Sequence, residues 1–478
     1  MSVKKNTIFN TIKSVLSIIF PLITFPYISR VLLSENVGKL NFGSSIVSYC
    51  SLFASLGVSS YAVRECSKVK DDKKALGKLS SEIISLNLMS TIIAYVVLAV
   101  LLIVAKPLAN YRLLIIIQSS SIIFITLGAD WLNAAMEDFG YITIRTIIFQ
   151  ILSLVLMFIF VHKQEDYITY AIISLVASSG ANIVNIFYRR HYCKTRLTFR
   201  VNFRRHLPPI LLLFSMIISQ TIYCNSDITI LGLIKGDKEV GLYSTAVKIY
   251  NIVNTLIMSV ATVVIPQLSS AFEKKEYDKI NNLLKYSLNY IIVLGLPCLV
   301  GINAFTIPII KLLAGNEYVG ASIAMHILTI ALAGSFIGGF IGNTIMIPSG
   351  KEKICLRVSI ISALVNIVLN LVFIPWFGLN AAAATTAVSE VLSLILIAPY
   401  IDKKIRISNM KDMLFAPVIG CLEIIIIGVI SSILIGNNLP VAVVAITISA
   451  VAYISTLILL KNEFAMSFLQ GLLRRLKK

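Results

Sequence analysis

Long apolar runs recur from one end of the chain to the other, and they constrain the fold more than any other feature of the sequence. A run of about 20 apolar residues is long enough to cross the hydrocarbon core of a bilayer as a helix. Of the 478 residues, 57% are hydrophobic and 14% are charged, whereas soluble domains carry about 25% charged residues. We therefore predict an all-α polytopic membrane protein.

Hydropathy in windows of about 19 residues divides the chain into about 14 transmembrane helices. The predicted spans lie at about 8–33, 40–62, 80–105, 112–135, 141–161, 167–188, 208–234, 241–265, 286–312, 321–347, 356–376, 379–400, 412–435 and 440–460.

The connections between spans alternate in charge. One set, which includes "RECSKVKDDKKALGK" and "EKKEYDKINNLLK", is rich in Lys and Arg, whereas the other includes "AGNEY", "FGLN" and "GNNLP". Basic connections stay on the cytoplasmic side, where they meet anionic lipid. We therefore predict that both termini are cytoplasmic. The net charge of +19 is interpreted as contact with anionic membrane lipids and not with nucleic acid.

A weak internal repeat divides the chain. The stretch "ENVGKLNFGSSIVSY" at 35–49 is echoed by "KEVGLYSTAVKIYNI" at 238–252, so that Gly38 corresponds to Gly241. The basic segment 189–206 lies between the two copies and is interpreted as a cytoplasmic linker. Internal repeats are the usual architecture of secondary transporters.

This repeat predicts two pseudo-symmetric six-helix lobes followed by two C-terminal helices. The N-terminal lobe with its linker is expected at 1–206 and the C-terminal lobe at 207–400. The last two helices and a basic cytoplasmic tail are expected at 401–478.

Two charged residues lie inside the hairpin of the second repeat copy. Asp227 and Lys248 each lie seven residues from a turn at about 234–241, which places both roughly 10 Å below the ends of their helices. A charge at the membrane centre costs about 3 kcal/mol. One interpretation is a buried ion pair that fixes packing. The other is a charged wall of a polar cavity, in which Lys248 meets an anion.

Four further charged residues lie within predicted spans. Arg30 and Arg145 lie near span ends, where each either extends to the interface or contributes to a cavity. Glu390 and Glu423 lie near the middle of their spans, where each either binds a proton or cation or is simply protonated. The stretch "GSFIGGFIGN" at 334–343 predicts a close helix contact, because its glycines recur every four residues.

The sequence offers no catalytic or metal-binding constellation. The seven Cys are scattered, without CxxC and without a Cys/His cluster, so we expect no metal site. There is no phosphate-binding GxxxxGK loop and no HExxH motif. We therefore expect a protein that is not an enzyme and that uses no cofactor.

Several long stretches resemble one family of membrane transporters. They include "NSDITILG", "VGLYSTAVKI", "DWLNAAMEDFGYITIRTIIFQ" and "GNTIMIPSGKEKICLRVSIISALVNIVLNLVF". To about residue 400, the chain resembles Wzx-type polysaccharide repeat-unit flippases of O-antigen (lipopolysaccharide) and capsule biosynthesis. These proteins belong to the multidrug, oligosaccharidyl-lipid and polysaccharide (MOP) exporter superfamily.

The resemblance implies two lobes around a central cavity. It further implies a flippase that carries undecaprenyl-diphosphate-linked oligosaccharide repeat units across the bacterial cytoplasmic (inner) membrane by alternating access. A polysaccharide polymerase and chain-length proteins are the partners that such a pathway implies.

By position, the resemblance assigns substrate-binding cations to this chain. Arg30 and Lys248 are expected to bind the diphosphate, with Arg145 as a further cation and Asp227 as a cavity residue beside them. The first repeat copy has Ser45 where the second has Lys248. The two lobes are therefore expected to differ chemically.

Other functions remain open from the sequence. In a drug or cation antiporter of the same superfamily, Asp227, Glu390 or Glu423 would be the coupling acid. A lipid II flippase is a further alternative. A membrane-embedded polymerase or ligase of lipid-linked sugars is disfavoured, because no outward loop is longer than about ten residues.

Overall fold

The computed structural model describes residues 3–198, 201–407, 409–435 and 439–467. Within these ranges the chain consists of α-helices with short 3-10 and π segments and contains no β-strand. The α-helices are α1 Val3–Ser55, α2 Val58–Ser67, α3 Lys73–Val104, α4 Arg112–Gly128, α5 Trp131–Ala135, α6 Phe139–Phe160, α7 Tyr167–Tyr188, α8 Phe203–Lys235, α9 Asp237–Glu273, α10 Tyr277–Ala304, α11 Thr306–Leu313, α12 Ser322–Phe340, α13 Glu352–Ile397, α14 Met410–Ile435 and α15 Leu439–Leu459.

The helices account for the predicted spans. By length and composition, eleven helical stretches of the described chain can cross a membrane, or up to twelve when the bent helix α9 is included. Two of these helices, α1 and α13, are each interrupted by one residue with positive φ, Leu33 and Gly378, and each covers two predicted spans. The prediction of an all-α polytopic membrane protein with about 14 transmembrane helices is confirmed.

Large apolar side chains cover much of the surface. Trp376 is 79% exposed and Leu459 is 78% exposed. Wide exposed apolar surface is unfavourable in water and marks contact with a membrane or a partner. On helices of this length, the exposed surface is suited to lipid.

The chain divides into two compact units, 1–241 and 242–478. Unit 1 contains α1 to α8 and the first residues of α9, and unit 2 contains the remainder. The division into lobes at 206 and 400, which rests on the repeat and the linker, stays a prediction.

Unit 1 has a core at its basic end, where α2, α3, α5 and the start of α8 pack together around Leu76 and Trp131. Residues 193–198, which we call the linker strap, run along α3. The backbone N–H groups of Arg196 and Thr198 donate to the hydroxyls of Ser81 and Ser85, at 3.0 and 2.9 Å. These two serines lie one turn apart on one face of α3, so the strap follows that face.

In unit 2 the last two helices pack against α10. The Tyr453 hydroxyl donates to the carbonyl of Val293 at 2.7 Å. A Cβ on Gly420 would overlap the ring of the same tyrosine. The pair α14 and α15 is therefore part of the packed core of unit 2.

The glycine motif of α12 packs against the second half of α13. A Cβ on Gly334 would lie 3.0 Å from Cβ of Glu390, and one on Gly338 would lie 3.4 Å from Cδ2 of Leu394. A Cβ on Gly342 would meet nothing within 4 Å. The predicted close helix contact is confirmed at the first two glycines and does not extend to the third.

Candidate functional site

The two copies of the repeated motif meet within unit 1, where α1 passes the start of α9. A Cβ on Gly38 would overlap the carbonyl oxygen of Asp237 and lie 2.6 Å from its carbon. A Cβ on Gly241 would overlap the carbonyl oxygen of Ser34 and lie 2.7 Å from its carbon. At this glycine crossing the two backbones are in contact, and only hydrogen fits between them.

Polar contacts surround the glycine crossing. The Tyr111 hydroxyl donates to a carboxylate oxygen of Asp237 at 2.6 Å. The Lys39 ammonium donates to Glu35 at 3.0 Å and lies 5.6 Å from the ring centroid of Tyr167. These contacts hold the start of α9 to the segment that precedes α4, and the part of α1 after Leu33 to the first residue of α7.

Further along, α1 and α8 share a buried polar contact. Ser45 is 1% exposed, and its hydroxyl donates to the carbonyl of Phe42 at 2.7 Å. The hydroxyl oxygen of Thr229 lies 3.0 Å from that of Ser45 and 3.2 Å from that of Tyr49. Ser45 is thus neutral, buried and satisfied at the position where the second repeat copy has Lys248.

Three of the predicted site residues lie in unit 1. Arg30 is exposed near the break in α1 and donates from Nη1 to the carbonyl of Pro26 at 2.6 Å. Asp227 is buried on α8. Arg145 is buried on α6, where it forms an ion pair with Asp130.

The ion pair belongs to a polar network around the break between α4 and α5. Asp130 also accepts from Asn133 at 3.3 Å. The Asn133 amide donates to Asn185 on α7 at 2.7 Å, and Asn185 donates to the carbonyl of Gly128 at 2.8 Å. The guanidinium of Arg145 keeps two nitrogens, Nε and Nη1, without a hydrogen-bond partner among the described residues. This buried cation therefore has N–H groups left that could donate hydrogen bonds to an anion.

The other three predicted site residues lie in unit 2. Lys248 is half-buried on α9. Glu390, also half-buried, lies at the close contact with Gly334. The two carboxylate oxygens of Glu423 lie 2.7 and 2.8 Å from the hydroxyl of Thr456. The carboxylate of Glu423 is thereby engaged between α14 and α15.

The structure thus distributes the six predicted residues over both units. Within unit 1, the ion pair of Arg145 is with Asp130 and not with Asp227. Asp227 belongs to unit 1 and Lys248 to unit 2, so their mutual pairing stays a prediction.

Sequence reasoning did not find a second buried network in unit 1. The Tyr61 hydroxyl lies 2.7 Å from Nδ1 of His206, and Nε2 of His206 lies 2.9 Å from a carboxylate oxygen of Glu82. All three residues are buried. The available signal was that Glu82 is the only charged residue in the apolar stretch 79–104 of α3, because such an acid requires a partner.

Two models of known protein families match parts of the sequence. The model of the family described as "Polysaccharide biosynthesis protein" matches residues 3–272. A second family model, MatE, matches residues 212–372.

Named relatives match at low identity over most of the chain. A protein of Escherichia coli named "Putative O-antigen transporter" is 23% identical over 399 residues, which cover 82% of this chain and 95% of that protein. The capsular polysaccharide biosynthesis protein CapF of Staphylococcus aureus is 25% identical over 399 residues, which cover 82% and 97% of the two chains.

The fold is shared with a solved structure. Lipid II flippase MurJ, in an inward closed conformation, superposes with a TM-score of 0.72 at 17% sequence identity, over 97% of this chain and 99% of that one. At this identity the likeness concerns the fold alone. Because the first family model spans more than half of the sequence, the chain belongs to the polysaccharide biosynthesis protein family.

Proposed function

We propose that this protein is a flippase that carries lipid-linked oligosaccharide repeat units across the cytoplasmic membrane. The carrier lipid is undecaprenyl diphosphate, and transport proceeds by alternating access, in which the substrate site opens first to one side of the membrane and then to the other. The protein acts as a transporter and not as an enzyme. Both termini are cytoplasmic, and a polymerase with chain-length proteins takes up the product.

The observation that carries this proposal is the lysine at position 248. A cation within a membrane span costs about 3 kcal/mol, and the corresponding residue of the first repeat copy is the buried, satisfied Ser45. The repeat therefore does not need a cation here for packing. A diphosphate substrate supplies a reason to keep one, because its charges require compensation wherever water is scarce.

Other charged residues take distinct roles in the proposal. Arg30 and Lys248 bind the diphosphate during transport. Arg145 contributes its two unpartnered nitrogens, Nε and Nη1, while Asp130 holds its guanidinium in place. Asp227 and Glu390 are the ion-coupling candidates, whereas the contact with Thr456 favours a packing role for Glu423.

The test uses a strain from which the gene is deleted. We expect that strain to lose surface polysaccharide and to accumulate lipid-linked repeat units, and we expect the intact gene to restore export. At matched protein levels, Lys248→Ala and Arg30→Ala are expected to reduce export by about tenfold or more, since each removes a charge-assisted contact of about 1.5–3 kcal/mol. Lys238→Ala is the matched control, because this exposed lysine lies in the first turn of the same helix as Lys248.

Three results would contradict the proposal. Wild-type export by both substituted proteins would remove the assigned cations from the mechanism. Unchanged surface polysaccharide with loss of drug efflux in the deletion strain would identify an antiporter. Accumulation of cell-wall precursor in place of polysaccharide repeat units would identify a lipid II flippase.

A further inference from the structure

A strongly basic cavity lies at one end of unit 1, between the first turns of α3 and the segment that follows α7. Its volume is about 570 Å³. Six cationic residues line it: Lys73, Lys74, Lys78, Arg190, Lys194 and Arg196. No acidic residue is among its lining residues. The cavity therefore has one sign of charge.

These six cations differ from two lysines that precede α3, which are paired. Lys70 forms an ion pair with Glu137 at 2.9 Å, and Lys68 forms one with Glu65 at 2.8 Å. Over the described ranges, none of the six cavity cations forms an ion pair. Asp72 is close by, but its carboxylate caps α3 by accepting from the N–H groups of Lys74 and Ala75. Those two backbone hydrogen bonds hold the pKa of the Asp72 carboxyl below its ordinary value.

The cavity is built on fixed backbone. The linker strap is tied to α3 through Ser81 and Ser85. A Cβ on Gly77 would lie 3.0 Å from the carbonyl oxygen of Lys194, so the strap approaches the helix closely at this glycine. Tyr192, which precedes the strap, donates its hydroxyl to Asp138 at 2.7 Å. The strap cations are therefore held beside those of α3 despite their mutual repulsion.

Exposed apolar side chains adjoin the cavity. Phe187 and Leu197 are each 64% exposed, and the guanidinium carbon of Arg190 lies 5.7 Å from the ring centroid of Phe187. Two candidate membrane spans, Lys73–Val104 and Gln164–His191, end here. Basic and aromatic residues together at span ends are typical of headgroup depth. A ligand at this place meets cations on one side and apolar surface on the other.

We propose that this cavity binds the phosphate group of an anionic phospholipid, with the acyl chains beside Phe187. The phosphate neutralises cations that the fold has brought together, and the lipid thereby fixes the linker strap to the membrane surface. The proposal does not depend on the transported substrate. Inorganic diphosphate is a soluble anion with phosphate oxygens and no acyl chains, so its ability to displace the lipid distinguishes a soluble phosphate anion from a lipid.

The test is lipid binding to the purified full-length protein in neutral detergent, followed by native mass spectrometry with added phosphatidylglycerol or phosphatidylcholine. The variant Lys73→Gln/Lys78→Gln/Lys194→Gln removes three cavity charges. The control Lys274→Gln/Lys353→Gln/Lys403→Gln removes three exposed charges of unit 2, none of which lines the cavity. Each cation near an anionic lipid surface strengthens binding by about fivefold. We expect the tightest phosphatidylglycerol site to weaken by about tenfold or more in the cavity variant and to be unchanged in the control.

Three outcomes would overturn the proposal. Equal weakening in both triple variants would mean general surface charge. Binding of phosphatidylcholine as tightly as phosphatidylglycerol would remove the role of net charge, and displacement by inorganic diphosphate at the lipid's own affinity would identify a soluble anion. A misfolded cavity variant is recognised by its thermal unfolding. In that event Lys73→Arg/Lys78→Arg/Lys194→Arg provides the test. It keeps the three charges and must therefore bind phosphatidylglycerol with the affinity of the wild-type protein.

Discussion

The two repeated hairpins share a backbone design but differ in their chemistry. Both turn at a residue with positive φ, Leu33 at 61° in the first copy and Gly236 at 89° in the second. Both then place a glycine five residues later, and the two glycines meet at the glycine crossing. Inside the membrane the copies diverge, because Ser45 stands where the second copy has Lys248. The repeat thus keeps its glycines where the two backbones are in contact, whereas the residues inside the spans differ between the copies.

The largest expected effect comes from the glycine crossing. Gly38→Ala or Gly241→Ala would drive a methyl group into a backbone carbonyl, and backbone cannot rotate away as a side chain can. We expect each substitution to lower the free energy of unfolding by about 3 kcal/mol. The measurement is circular dichroism during titration with sodium dodecyl sulfate in mixed micelles.

The matched control for the crossing is Gly301→Ala in α10, where an added Cβ meets nothing within 4 Å. This substitution should be neutral or slightly stabilising, because alanine favours helix more than glycine does. Wild-type stability of both crossing variants would show that the glycines are a trace of the repeat with no role in packing.

An effect of about the same size is expected from Ser45→Lys, which makes the first copy resemble the second. The position is 1% exposed and its hydroxyl is already bonded, so a lysine there must bury a charge or displace α8. We expect a loss of about 3 kcal/mol in the free energy of unfolding. Ser45→Ala, which removes only the hydroxyl, should cost about 1 kcal/mol.

The reciprocal exchange decides whether the two positions differ in function. We expect Ser45→Lys/Lys248→Ser to fail in export of repeat units, since the cation would then lie on the wrong helix. Export at the wild-type rate would mean that either copy can carry the cation, and the asymmetry between the hairpins would have no functional meaning.

Much of the fold could be predicted from the sequence, because membrane spans depend on run length and apolar content alone. The end of the first span at Leu33 was predicted correctly, but its conformation was not. Leucine gives no turn signal, whereas the glycine at 236 does. The correspondence of Gly38 and Gly241 was visible, but their contact was not, because a glycine near a helix end serves equally well as a cap.

The candidate site was less predictable than the spans. Arg145 could be recognised as a charged residue near a span end, yet its partner Asp130 lies in the break between α4 and α5, which hydropathy does not reveal. Tyr61 and Glu82 come from the consecutive helices α2 and α3, whereas His206 comes from α8, more than 120 residues further along the chain. Their meeting depends on tertiary packing, which periodicity does not encode.

The smallest expected effect separates backbone strain from side-chain packing at the two turns. At φ 61° and ψ 175°, Leu33 occupies a region that is nearly reserved for glycine. Leu33→Gly removes that strain but also the half-buried side chain, whereas Leu33→Ala removes the side chain beyond Cβ and keeps the strain. We expect Leu33→Gly to be more stable than Leu33→Ala by about 1 kcal/mol.

Gly236→Ala supplies the converse measurement. A Cβ at this position would meet nothing within 4 Å, so any cost comes from the backbone conformation and should again be about 1 kcal/mol, with the opposite sign. Equal magnitudes in the same unfolding titration would mean that the two turns impose one backbone geometry on different residues. A neutral Gly236→Ala beside a stabilised Leu33→Gly would mean that only the first hairpin is strained, and the shared design would then end at the glycine crossing.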